Sequence, residues 1–201
     1  MEPQSFLFVL LAAVYVIAGG TETLHRDEDA MRRAAHDDPL PRLANRRALM
    51  DRLGRSLADG NRRSGCIAVV YLDLDEFKAI NDRFGHDGGD AILKQVADRL
   101  RSATRAGDCV GRIGGDEFMI VSTIGDSTDV ESLADRIDEC FSAPFDFRDT
   151  PIDVRASIGW ATAEGPAGSP EQLVTDADRV MYEHKHGRAA GVRTPDPEPI
   201  S

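Results

Sequence analysis

The hydrophobic pattern divides the chain into strand-like and helix-like blocks. Cys66 to Leu72 (CIAVVYL) is an unbroken apolar, β-branched run, which predicts a central strand buried on both faces. Gly89 to Arg105 instead spaces Ile92, Leu93, Val96, Ala97 and Leu100 along one helical face. Between them, Asp75 to Asn81 reads as a short helix and Gly85–His86 as a turn. Cys109 to Ile113 and Phe118 to Ser122 are apolar runs on either side of Gly114–Gly115, which predicts a β-hairpin whose turn uses both glycines at positive φ. Val130 to Phe141 is amphipathic and predicts a helix. Ile152 to Ala161 alternates with period two and predicts a strand, and Pro170 to His186 predicts the last helix. Near the start, Asn45 is placed to cap a helix from Arg46 to about Asp59, ended by Gly60–Asn61. The order of elements predicts an α+β fold: one mainly antiparallel sheet with helices on its faces.

The two ends differ from this core. Phe6 to Ala18 is apolar throughout; counted to Gly20 it makes 15 residues, about 22 Å as a helix against roughly 30 Å of hydrocarbon. No basic residue precedes it, whereas Arg26, Arg32 and Arg33 follow. The expectation is a short or truncated last membrane span with its C-terminal side in the cytoplasm; the alternative is a helix packed on a partner or on the domain. Thr21 to Asp38 reads as a polar linker helix, able to pair with a second copy. From Thr194 the tail TPDPEPIS holds three prolines and two acids, a composition that predicts disorder.

Charge narrows the function. The net charge of −11 repels phosphate backbones, so a general nucleic-acid binder is excluded and any phosphate substrate must be held locally by a metal ion or a few placed cations. Cys66, Cys109 and Cys140 are too far apart for a zinc pattern and are expected as buried, reduced core thiols. The candidate chemistry lies in carboxylates. Asp73 and Asp75 end the central strand, and residues two apart on an extended chain point the same way. Asp116 and Glu117 sit at the hairpin tip. If the two strands are neighbours, three or four carboxylates converge; such like charges repel unless a cation joins them, and hard oxygen ligands suit Mg²⁺, with Mn²⁺ as the alternative ion. The bland alternative is a set of solvated turn acids. Gly114 and Gly115 weigh against it, because they let backbone amides and a ligand approach closely.

Arg112-Ile113-Gly114-Gly115-Asp116-Glu117-Phe118 resembles the signature loop of the GGDEF family of diguanylate cyclases. A second block, Asp73-Leu74-Asp75-Glu76-Phe77-Lys78-Ala79-Ile80-Asn81-Asp82 with Gly85-His86 and Gly89-Asp90, is similar to the family's D-x-D-x-F-K-x-I-N-D…G-H…G-D pattern. Asp38-Pro39-Leu40 with Leu43 and Asn45-Arg46 resembles its opening motif. The likeness spans about Asp37 to Arg188. It divides the chain into residues 1–36 (apolar segment and linker helix), 37–192 (GGDEF domain) and 193–201 (tail).

The resemblance implies the nucleotide-cyclase and polymerase-palm fold and a set of roles. Asp73, the Leu74 carbonyl, Asp116 and Glu117 would hold Mg²⁺, with Asp116 the candidate acceptor of the 3′-hydroxyl proton. Asn81 and Asp90 would read guanine, a carboxylate at Asp90 accepting from both the N1–H and the N2 amino group. Phosphates would meet the backbone around Glu76, Phe77 and Lys78, the Gly114–Gly115 loop, Lys185 and Arg188. Arg105-Ala106-Gly107-Asp108, five residues before the signature, matches the family's R-x-x-D product-inhibition site, with Arg136 assisting; read alone it is a surface turn with an Arg–Asp pair. The implied partners are GTP, cyclic di-GMP as product and inhibitor, a second copy of the chain, and the cytoplasmic face of a bacterial membrane. Two departures stand out. Pro41-Arg42 replaces the usual T-G, and Tyr182-Glu183-His184-Lys185-His186-Gly187-Arg188 is one residue shorter than the family's Y-x-x-K-x-x-G-R, which puts the role of Arg188 in question. The expected function is condensation of two GTP into cyclic di-GMP and pyrophosphate by two-metal Mg²⁺ catalysis across a domain dimer, with product inhibition. The alternatives are a degenerate domain that binds nucleotide without turnover, and a membrane-proximal module used only for dimerisation.

Overall fold

The structure is a computed structural model that describes residues 43–60, 65–164 and 169–189. Its main sheet has five strands in the order β1-β3-β4-β2-β7: β1 (Ala44–Asn45), β3 (Cys109–Gly114), β4 (Glu117–Ile124), β2 (Cys66–Leu74) and β7 (Ala156–Glu164). Only the β1–β3 pair is parallel; the other neighbours are antiparallel. The helices are α1 (Arg46–Gly60), α2 (Phe77–Ala103), α3 (Asp129–Glu139) and α4 (Pro170–Ala189). The expected α+β architecture is what is observed.

The apolar run of β2 needs cover on both faces, and it has it. Ala68, Val70, Leu72 and Leu74 enter the apolar cluster completed by α2 and α3. Ile67, Val69 and Tyr71 enter the opposite cluster, with Leu49 and Leu53 of α1 and Ala177 and Met181 of α4. A strand with alternate side chains in two cores is anchored in register, because a one-residue slip would exchange the two sets. That register fixes which residues meet at the strand's end. The helix α4 lies against β7 at Gly159, where a Cβ would run into the backbone of Ala177 and Met181; this close approach sets how far Lys185 reaches toward the sheet. Asn45 caps α1 as expected, its Oδ1 accepting from the Ala48 amide at 2.9 Å.

Several expectations are corrected. The short helix, turn and second helix between Asp75 and Arg105 are observed as two helical stretches of α2 that meet at a non-helical Gly85 (φ 73°, ψ 172°); only the limits change, the first starting at Phe77 and the second ending at Ala103. The strand expected from Ile152 to Ala161 is two. Its start belongs to a separate hairpin, β5 (Phe145–Phe147) with β6 (Thr150–Ile152), and β7 begins only at Ala156. That hairpin turns through Arg148 and Asp149, both at positive φ, without the glycine that would have signalled it. Conversely, neither Gly114 nor Gly115 has positive φ. The β3–β4 pairing shifts register between Arg112 and Gly114 instead, and a bulge re-aims the chain without a left-handed glycine. Of the cysteines, Cys66 is buried whereas Cys109 and Cys140 are half-buried, and all three thiols are free.

The expectation of a membrane attachment is also corrected. Among the described residues no helix is long and apolar enough to cross a membrane. Phe6–Ala18, on which it rested, lies outside the described residues, and its apolar stretch is shorter than the hydrocarbon core. The linker helix, the tail and the limits at 36/37 and 192/193 likewise lie outside them.

Candidate active site

The site forms where β2, β4 and β7 end together. Asp73 pairs with Glu117 across the β2–β4 ladder and with Ser157 across β2–β7. The hairpin tip is strapped to β2, since the Leu74 amide donates to the Asp116 carbonyl at 3.2 Å. Arg112 fixes the tip from the other side: its Nε donates to the Gly115 carbonyl at 2.9 Å and its Nη2 at 2.5 Å. An added Cβ at Gly115 would meet nothing within 4 Å, and one at Gly114 only Glu117 Oε2 at 3.5 Å, so the glycines keep the face of the loop open.

The side chains around Asp73 form an acidic group short of positive charge. Lys185 Nζ donates to Asp73 Oδ1, and Ser157 Oγ donates to Asp75 Oδ1 at 2.7 Å. Burial, then Asp73 and Asp178, push the Glu117 carboxyl above its ordinary range, against a hydrogen bond from the Tyr71 hydroxyl. Asp73 is pushed up by burial and by Asp116 and Asp75, which together outweigh Lys185. Lys185 is partly buried, which lowers it, yet Asp73, Asp116 and Asp75 hold it above the usual lysine value. Tyr71 is pushed up by burial and by Glu117 and Asp178. When acids raise one another and also raise the ammonium bonded to them, the group as described lacks cationic charge.

That deficit and the all-oxygen donor set fit a hard divalent cation. The convergence is less complete than expected, however: among the described residues no three acidic, His or Cys side chains stand together as a ready-made metal cage. Asp73 and Glu117 are brought side by side, Asp116 reaches them electrostatically from the turn, and Asp75 is engaged with Ser157.

The expected nucleotide residues lie along α2. Its N-terminus at Phe77 follows Glu76, which adopts a left-handed conformation (φ 55°, ψ 25°), and no side chain caps the helix. A non-glycine residue held there is strained, and an uncapped first turn directs its amides at whatever anion arrives. Phe77 is buried and Lys78 exposed. Asn81 lies over Gly89, its carboxamide filling the space a Cβ at 89 would need; the kinked helix thereby brings Asn81 beside the exposed Asp90. The side chain of Arg188 lies outside the described residues.

The Arg105–Asp108 turn is a second, separate constellation. Asp108 Oδ2 accepts from the Arg105 amide at 2.7 Å, and Oδ1 from Ser122 Oγ at 2.6 Å. Arg52 Nη2 donates to the Gly107 carbonyl at 2.9 Å. Arg136 Nε donates to the Ala103 carbonyl at 3.3 Å, which places it two residues from Arg105, whose side chain is exposed. The three expected residues therefore share one edge of the domain. Sequence reasoning missed Tyr71, Ser157, Asp178, Arg52 and Ser122. Only Tyr71 had a signal: a phenol within an aliphatic strand, two residues before Asp73 and so on its face.

This fold and site define an α+β domain with an acidic hairpin at the end of its sheet. The family model for the diguanylate cyclase GGDEF domain matches residues 35–190. Diguanylate cyclase TpbB of Pseudomonas aeruginosa is 38% identical over 160 residues, covering 78% of this chain and 37% of that protein. Diguanylate cyclase DgcP of Escherichia coli K12 is 33% identical over 181 residues, covering 89% of this chain and 53% of that protein. Among solved structures, the coiled coil and GGDEF domain of DgcB from Caulobacter crescentus, in complex with c-di-GMP, aligns with a TM-score of 0.69 at 28% identity, covering 91% of this chain and 96% of that one. The chain belongs to the GGDEF-domain diguanylate cyclase family. It spans between about a fifth and a half of the length of the curated relatives it matches. The family works with divalent metal ions, in keeping with the acidic site described above.

Proposed function

We propose that this chain condenses two molecules of GTP into cyclic di-GMP and pyrophosphate, as one half of a two-chain active site. The observation that carries the reading is the in-register pairing of Asp73 with Glu117 beneath a hairpin tip strapped to the same strand. Asp73, the Leu74 carbonyl, Asp116 and Glu117 would hold Mg²⁺ or Mn²⁺, which would supply charge neutralisation at the α-phosphate and at the attacking and leaving oxygens.

The chain's own residues supply position. Asn81 and Asp90 orient guanine. The open N-terminus of α2 around Glu76, Phe77 and Lys78, the Gly114–Gly115 loop, and the Lys185 and Arg188 cations receive the phosphates. Each 3′-oxygen attacks the α-phosphorus of the nucleotide on the facing chain, its proton passing to Asp116 or to water, and pyrophosphate departs in line. A symmetric dimer is thus part of the site, and product held by Arg105, Asp108 and Arg136 restrains the domains from meeting. The domain occupies residues 37–192, between the segment 1–36 and the tail 193–201.

A second reading, binding without turnover, is favoured by one observation: Lys185 is bonded to Asp73, so the lysine occupies one of the carboxylates that would hold the ion. Incubating the purified full chain with GTP and Mg²⁺ and separating the products by chromatography distinguishes the two. Turnover gives cyclic di-GMP from wild type and a loss of about 100-fold in Glu117→Gln. No product at high protein concentration, with tight GTP binding, establishes the second reading.

A further inference from the structure

Lys185, besides bonding Asp73, lines a cavity of about 710 Å³. The cavity's apolar wall includes Ile80 and Phe84 of α2 and Ile152 of β6, and its other basic groups are Arg83 and Arg155. Neither guanidinium is paired with an acid among the described residues. Arg83 lies over the Phe84 ring, 4.9 Å from its centroid, and the Arg155 side chain has no hydrogen bond or ion pair there. The Arg155 backbone is nonetheless fixed, because its carbonyl accepts from the Asp75 amide at 2.9 Å. The head of β7 is thereby tied to the turn that follows Asp73. The α2 residues of the lining (79, 80, 83 and 84) recur at three and four positions and form one face of the helix, with Glu76 just before its start. Asn81 and Asp90 are not part of that lining. The cavity adjoins the phosphate end of the site rather than the base end.

In-line displacement gives the departing group a direction. The attacking 3′-oxygen reaches the α-phosphorus from one side, and the leaving oxygen departs on the other. Because the attacking hydroxyl comes from the facing chain, pyrophosphate departs toward the chain that bound it, where Lys185 and the start of α2 stand. We infer that the cavity beside Lys185 is a pyrophosphate site, in which the guanidiniums of Arg155 and Arg83 hold magnesium pyrophosphate after the condensation. The inference rests on the reaction proposed above. In that reaction the 3′-oxygen-to-phosphorus bond forms and the bond from the α-phosphorus to the bridging oxygen breaks. The electron pair stays on the departing oxygen, and the hydroxyl proton leaves to Asp116 or water. Planar guanidiniums match phosphate oxygens two at a time. Of the acids in the lining, Asp75 accepts from Ser157, which leaves Glu76 and Asp153 as oxygen donors for the ion that accompanies pyrophosphate.

The test uses the full chain and magnesium pyrophosphate alone, without GTP, in a calorimeter. Wild type is expected to bind, Arg155→Ala at least about five-fold more weakly, and Arg155→Lys between them. Arg179→Ala, which removes only an exposed pair with Glu183, is expected to bind like wild type. In initial-rate assays with added pyrophosphate, Arg155→Ala should raise the inhibition constant about five-fold while KM for GTP changes less than two-fold. Absence of binding by wild type, equal binding by Arg155→Ala, or a KM increase as large as that of the inhibition constant overturns the inference. Binding that depends on Arg155 in a chain that makes no cyclic di-GMP leaves the site standing and defeats the condensation reading instead.

Discussion

The acidic end of β2 and the Arg105–Asp108 turn are both built on carboxylates, yet they are opposite in kind. Around Asp73 and Glu117, neighbouring acids push both carboxyls up, and among the described residues Lys185 is the ammonium bonded to Asp73. At Asp108 both oxygens are already satisfied, one by the Arg105 amide and one by Ser122. The first region is left short of positive charge, which the proposed cation would supply. The second is complete by itself and presents an exposed arginine. On the proposed function, the region that would bind and release charged groups carries unmet charge, whereas the turn that would read the product carries rigidity.

Removing the unmet charge should separate the two regions most sharply. Glu117→Gln is expected to lose about 100-fold in cyclic di-GMP formation, read by chromatography, without losing stability. Glu117 ionises later in the folded chain than in the unfolded one, so the folded state is penalised increasingly as pH climbs from about 4.3 through the raised value, and the penalty is complete above it. In chelator, Glu117→Gln should therefore melt above wild type at neutral pH, and the gap should shrink as pH falls toward 4.3. Mg²⁺ should raise the melting temperature of wild type more than that of the variant. A variant that melts below wild type at neutral pH would break the contrast.

The self-contained turn should respond in the opposite way. Asp108→Ala leaves the Arg105 amide and Ser122 hydroxyl without their acceptor and should cost about 2 kcal/mol in urea unfolding, together with product inhibition. Arg105→Ala should raise the inhibition constant for added cyclic di-GMP about ten-fold, as expected for loss of a charged hydrogen bond of about 1.4 kcal/mol or more, with no change in melting temperature. Arg52→Ala removes one brace, the bond to the Gly107 carbonyl, and should cost about 1 kcal/mol. A fall in feedback with Arg52→Ala as large as with Arg105→Ala would mean that turn shape, not the arginine, reads the product.

The contrast also explains what was legible in the sequence. Unbroken apolarity in Cys66–Leu72 and spacing in Gly89–Arg105 report burial, and burial decides strand and helix, so four strands of the main sheet and the helices were readable, whereas the two-residue β1 (Ala44–Asn45) was not. The β5–β6 hairpin was not. Its strands are three residues long, and its turn places Arg148 and Asp149 at positive φ, a conformation for which the pattern would have demanded glycine. The reverse error came at Gly114–Gly115, where glycines suggested a left-handed turn and a bulge braced by Arg112 did the work. For the site, motifs named Asp73, Asp116 and Glu117, and the strand register then placed Asp73 against Glu117. Partners arriving from distant segments, such as Ser157 on Asp75 and Ser122 on Asp108, depend on sheet order, and local patterning carries no record of it.

The most direct measurement is product stoichiometry from the full chain incubated with GTP and Mg²⁺, followed by chromatography over a range of protein concentrations. Two GTP should be consumed for each cyclic di-GMP, with two pyrophosphates released, and the rate per chain should rise with concentration as the two halves of the site meet. GTP bound but unchanged at every concentration, with Glu117→Gln indistinguishable from wild type, would contradict a condensing site built on Asp73 and Glu117.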